Sequence, residues 1–197
     1  MKKLLLFLFA MFLGATLFEK SAQAQITVNV SGAAATSPAL AGGYTSLAGA
    51  LTALNSVTAF TNPGTIIFTC AGGGSETAPP TGFVIGSATL NPLLNGTNNV
   101  RIIAAGVVTI NAGVGTATPS SAAPDGMISI AGADYITIDG LTLADGNAAN
   151  PATMEFGIGL FKASLSDGAQ NNTIQNCIIT VKTINNSSGL GPMIDGS

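Results

Sequence analysis

The chain has no histidine, only two cysteines and a single arginine, and just 8% of its 197 residues are charged. Without imidazole, a cysteine nucleophile lacks its usual base and a zinc site lacks its commonest ligand, so both are poorly supported. Beyond residue 25 only Arg101, Lys162 and Lys182 are basic, against eight acidic residues, a formal charge of −5. Phosphate binding needs clustered lysine and arginine, so nucleic acid is not an expected partner. No cofactor or metal is expected either, because no regular acidic spacing of a calcium loop is present.

What is present begins with MKKLLLFLFAMFLGATLFEKSAQAQ. Two lysines precede an apolar run from Leu4 to Phe18, and the small-residue site Ala22-Gln23-Ala24 follows. That order reads as a secretory signal peptide over residues 1–25, cut near Ala24 or Gln25. The run is shorter than the roughly 20 apolar residues of a membrane span, so the processed chain is not expected to span a membrane. It contains no cysteine, which disfavours lipid attachment at the cut.

The rest is rich in glycine, alanine, threonine, serine and asparagine, yet carries enough isoleucine, valine and leucine to bury surface and avoid disorder. ITVNV at 26–30 alternates and reads as a strand, and Ser31 to Gly43 reads as loop, so 26–43 form an N-terminal strand and loop. YTSLAGALTALNS then places Leu47, Ala50, Leu51 and Leu54 at helical spacing, with Thr45 or Ser46 as N-cap. It is the one helical period past the leader. After it come only strand-like runs: TIIFTC (65–70), GFVIG (82–86), NVRIIAAGVVTI (99–110), GMISIAG (126–132), YITIDGLTL (135–143), GIGLF (157–161) and NTIQNCIITV (172–181). With no helix between them, a sandwich, a barrel or a solenoid remains.

Two of these runs repeat one pattern. Laying Gly140 on Asn176 puts Ile138 on Ile174, Leu141 on Cys177 and Leu143 on Ile179, with Asp139-Gly140 and Gln175-Asn176 as matching polar corners. NNVRIIAAGVVTINAG reads as a looser third copy in which Gly106 stands for the corner glycine. Copies at a spacing of about 20 to 50 residues mark a repeat architecture. Side chains flip faces at every strand residue, so a corner must turn the backbone for Ile138 and Leu141 to share one interior. Stacked turns of short strands achieve this; an antiparallel sandwich has no need of the same corner twice. Cys70 and Cys177 both fall at inward positions, which favours two separate buried thiols, although an exported pair can also bond.

SLAGALTALN, DYITIDGLTL and NNTIQNCIIT resemble the exported pectin-lyase-like proteins, especially large surface proteins of Bacteroidetes-type bacteria. The resemblance implies an all-β, right-handed parallel β-helix, a solenoid whose first turn is plugged by a short N-terminal capping helix. It covers residues 44–197, which would be the N-terminal part of a longer β-helix domain, since GPMIDGS at 191–197 resembles the start of another turn. It also implies a secreted or cell-surface location in a bacterium of Gram-negative type.

Enzymes of that class use clustered carboxylates beside a basic residue. Asp134 and Asp139 lie about 16 Å apart along an extended strand at about 3.3 Å per residue, whereas paired glycosidase carboxylates sit about 5 to 10 Å apart. Stacking places Gln170 on Asp134 and Gln175 on Asp139, with Val100 and Ala105 in the looser copy, so no acidic column forms. Asp145-Gly146-Asn147 reads as an ordinary turn. Asn95-Gly96-Thr97 and Asn171-Asn172-Thr173 match the glycosylation pattern, as chance allows in so asparagine-rich a chain. Outward Tyr135, Thr137, Thr142 and Thr173 read as one mildly polar face, and Tyr135, Thr137 and Asp139 are the residues placed to touch a glycan. The expected function is a non-catalytic exported module for adhesion or glycan contact, with an extracellular polysaccharide or cell-surface glycan as partner. The alternative is a polysaccharide lyase or glycoside hydrolase whose active site lies beyond residue 197.

Overall fold

The computed structural model describes residues 24–115, 125–146, 154 and 156–181. The leader reading of 1–25 lies almost wholly outside the described residues, and the GPMIDGS reading lies wholly outside them. Within the described residues the chain is mostly β, in the order β1 (Val28–Gly32), β2 (Ala35–Ser37), β3 (Gly43–Tyr44), α1 (Leu47–Asn55) and β4 (Ala59–Asn62). Then follow β5 (Thr65–Ala71), β6 (Ser75–Thr77), β7 (Phe83–Ile85), β8 (Asn99–Ala105), β9 (Thr109–Asn111) and β10 (Gly126–Ala131). The last five are β11 (Ile136–Asp139), β12 (Thr142–Ala144), β13 (Phe156–Phe161), β14 (Thr173–Gln175) and β15 (Ile178–Thr180).

From β5 onward the strands join three sheets in rotation. β5, β8, β11 and β14 pair in parallel in the first sheet, β6, β9, β12 and β15 in the second, and β7, β10 and β13 in the third. Period-two alternation decides which face turns inward. In β5, Ile66, Phe68 and Cys70 are buried while their neighbours are partly exposed. The register then stacks like on like: Phe68, Ile102, Ile138 and Ile174 form one column, and Ile66, Val100 and Ile136 another. Ile110, Leu143 and Ile179 line the second sheet. Each fully buried isoleucine or leucine contributes about 1.5 to 3 kcal/mol.

The expected match of Ile138 with Ile174 and of Leu143 with Ile179 is the observed register. The third copy is not aligned as its glycines suggest. Asp139 pairs with Ile103 rather than Ala105, and Ile136 rather than Asp134 takes Val100. Thr142 pairs with Thr109, so residues 104–108 oppose only 140 and 141. The β8 corner is three residues longer because β8 keeps its full seven-residue ladder with β5 before it turns. The inward faces fix the register, and the glycines follow the corner.

At the other end of the stack, β1 lies antiparallel on β5 and β3 antiparallel on β1. The segment read as loop from Ser31 to Gly43 therefore contains β2 and parts of β1 and β3. β2 and β3 are too short to show the apolar alternation that reveals the first half of β1. α1 is capped by Ser46, whose Oγ accepts from Gly49 N–H at 3.0 Å, and it buries Leu47, Ala50, Leu51 and Leu54 in the common core. Both cysteines are free thiols, Cys70 fully buried and Cys177 only partly. Burial, reinforced by the nearby Glu76 carboxylate, pushes the Cys70 thiol up to about 12, so it is protonated and inert at neutral pH.

Candidate functional site

On β11, Ile136 and Ile138 are fully buried, so Thr137 and Asp139 face outward from the first sheet. Thr137 lies between Arg101 on β8 and Thr173 on β14, and Asp139 lies between Ile103 and Gln175. Beyond β8 the same face continues through Ile67 and Thr69 of β5. The result is an outer face of threonine hydroxyls, the Gln175 amide and two isoleucines, with one cation and one anion on neighbouring strands.

Asp139 is held from the next strand layer. Its Oδ1 accepts from Asn176 Nδ2 and its Oδ2 from Gln175 Nε2, both at 2.8 Å. The Asn176 bond, then the Gln175 bond, lower its pKa below the usual carboxylate value, and Arg101 adds a smaller pull in the same direction. Asp139 is therefore an ionised acceptor already engaged with two amides. It is not poised to donate a proton.

Tyr135 closes one end of the face at the corner before β11. It sits at φ 55°, a left-handed conformation that β-carbons disfavour. Its N–H donates to the Gln170 carbonyl at 3.1 Å, and its own carbonyl accepts from Val100 N–H at 3.3 Å. Its ring edge lies beside Gly96, where a β-carbon would approach Cε1 to 3.8 Å. Thr137 and Asp139 thus share the outer face of the first sheet, and Tyr135 stands at the corner that leads into β11. Thr142 does not share that face: it belongs to the second sheet, with Thr109 and Ile178 as neighbours, because the corner at Gly140 turns the chain onto another face.

The remaining acids have structural duties. Asp134 Oδ1 accepts from Gln170 N–H at 2.6 Å, while Asp145 is buried at the end of β12. No group of three His, Cys, Asp or Glu side chains that could hold a metal occurs among the described residues. Side chains of the two glycosylation-like triplets also serve the backbone. Asn95 Oδ1 accepts from Thr97 and Asn98 N–H groups, and Asn172 bridges Ile136 N–H and the Ala133 carbonyl of the preceding turn.

Two residues at this surface and behind it escape a reading by motif. Arg101 reaches Thr137 only when Val100 and Ile102 are matched to Ile136 and Ile138, inward residue to inward residue. Glu76 occupies the register position of Ile110 and Leu143, and its carboxylate accepts from Leu47 N–H at 2.8 Å and Ala48 N–H at 3.1 Å. The 34-residue offset from Glu76 to Ile110 is the signal that places it.

No family model, curated protein or solved structure matches this chain. Among the described residues no helix is long and apolar enough to cross a membrane.

Proposed function

We propose that the chain is an exported, right-handed parallel β-helix module that contacts glycans through the outer face of its first sheet and catalyses nothing itself. The observation that carries the architecture is the rotation of successive strands through three parallel sheets at spacings of about 36 residues in the first, as Ile102, Ile138 and Ile174 illustrate. Such stacking pairs each strand with its counterparts in adjacent turns and leaves long, flat outer faces. On this one, Tyr135 offers a ring, Thr137 and Thr173 offer hydroxyls, and Arg101 offers a guanidinium. These groups suit the alternating apolar and hydroxylated surfaces of sugars. Asp139 fixes the amides of Gln175 and Asn176 at its rim. A secreted or cell-surface location follows from the leader.

A panel of neutral and acidic polysaccharides, immobilised and titrated with the chain, tests this reading. Binding to at least one class is expected, reduced about tenfold by either Tyr135→Ala or Arg101→Ala. Uniform absence of binding would remove glycan contact. Depolymerisation of any polysaccharide by the chain would overturn the non-catalytic reading in favour of a lyase or hydrolase.

A further inference from the structure

We propose that the mature chain begins with a pyroglutamyl residue formed from Gln25, an inference that rests on the export reading. The small-residue site leaves the cut near Ala24 or Gln25, and the fold distinguishes the two bonds. Ile26 is 0% exposed and docked against Gly74, where an added β-carbon would meet Ile26 Cα at 2.9 Å. A cut after Gln25 would place the new α-ammonium on the backbone of this docked residue, beside Gly74, where hydrating the charge works against docking. A cut after Ala24 places it on Gln25, which is exposed. The next residues stay anchored, because the Thr27 carbonyl accepts from Ala71 N–H at 2.9 Å.

N-terminal glutamine carries its own electrophile. The α-amine nitrogen attacks the side-chain Cδ, the bond from Cδ to the amide nitrogen breaks, and that nitrogen leaves as ammonia with a proton from the amine. The product is a five-membered lactam, and no oxidant or co-reactant is consumed. Before the cut, the Ala24 carbonyl, bonded to the Gln25 nitrogen, accepts from Ser75 N–H at 2.8 Å at the edge of β6. The cut replaces that carbonyl with a cationic donor, whereas the lactam puts a neutral carbonyl back on the same nitrogen. Modification of a terminus in this way removes a charge and blocks aminopeptidases.

The test is export of the full chain under its own leader from a Gram-negative host, followed by intact mass and N-terminal sequencing of the undigested protein. The expected result is a chain starting at residue 25, lighter by one ammonia, blocked to Edman degradation and opened by pyroglutamyl aminopeptidase. The Gln25→Ala variant should be cut at the same bond and remain sequenceable. A free Gln25 amine, or an exported chain starting at another residue, would overturn the lactam and leave export standing. A chain that keeps residues 1–24 would overturn export itself and the lactam with it.

Discussion

Glu76 stands where Ile110 and Leu143 stand in later turns, so a carboxylate is aimed at an interior otherwise lined with isoleucine and leucine. It is tolerated there because α1 presents two N–H groups that no helical carbonyl can satisfy. A carboxylate at a helix N-terminus also meets the positive end of the helix dipole. Glu76→Ala leaves the Leu47 and Ala48 donors without this partner and should cost about 1 to 3 kcal/mol in urea unfolding. Glu76→Gln keeps one acceptor oxygen and should cost less. Equal losses for the two variants would mean that a single neutral acceptor contributes nothing, and an unchanged Glu76→Gln that the charge contributes nothing. This role was not legible from the residue's surroundings in the sequence. A lone glutamate in GGGSETAPP reads as loop, and only the register of a neighbouring strand reveals that it points inward.

At the scale of elements, α1 was the easiest to read, because a 3.6-residue period over Leu47, Ala50, Leu51 and Leu54 has no strand interpretation. What the helix does at its far end was hidden. Asn55 donates from Nδ2 to the Val84 carbonyl at 2.8 Å and accepts at Oδ1 from Gly86 N–H at 2.9 Å, so one side chain stands in for a strand along β7. Edge strands need such cover, and the covering residue need not be near in sequence. The corners were half legible. Asp139-Gly140 and Gln175-Asn176 announce themselves because Gly140 and Asn176 adopt the left-handed backbone that glycine and asparagine tolerate. Tyr135 breaks that rule, although it occupies the position that Asn171 takes one turn later at φ 56°. Such strain persists where the surroundings enforce it and often marks a binding surface. Tyr135→Asn should therefore stabilise the fold by about 1 kcal/mol while weakening glycan binding. Lower thermal stability of this variant would show that ring packing against Gly96 outweighs the backbone penalty.

Across the whole molecule, one interior runs from α1 to β15, and its burial fades along the stack. Ile138 and Leu143 are fully buried, whereas Ile174 and Ile179, at the same positions one turn later, are 39% and 45% exposed. Stacking was readable because identical inward residues recur on matching corners. The three-residue growth of the β8 corner was not, since insertions outside the ladder leave no trace in periodicity. In a stacked architecture, stability accumulates from contacts between neighbouring turns, so equivalent residues should differ in cost by how many neighbours they have. Ile138 lies between Ile102 and Ile174, whereas β14 has a strand neighbour on one side only among the described residues. Ile138→Ala should cost about 2 to 5 kcal/mol, the range for a buried isoleucine that leaves a cavity. Ile174→Ala should cost about 1 kcal/mol, because its methyl groups are already part-exposed and the site can collapse. The double variant should lose less than the sum, as neighbouring side chains share one cavity. Urea titrations of the three proteins measure this directly; equal single-variant losses, or strict additivity, would show that the two isoleucines do not share a column.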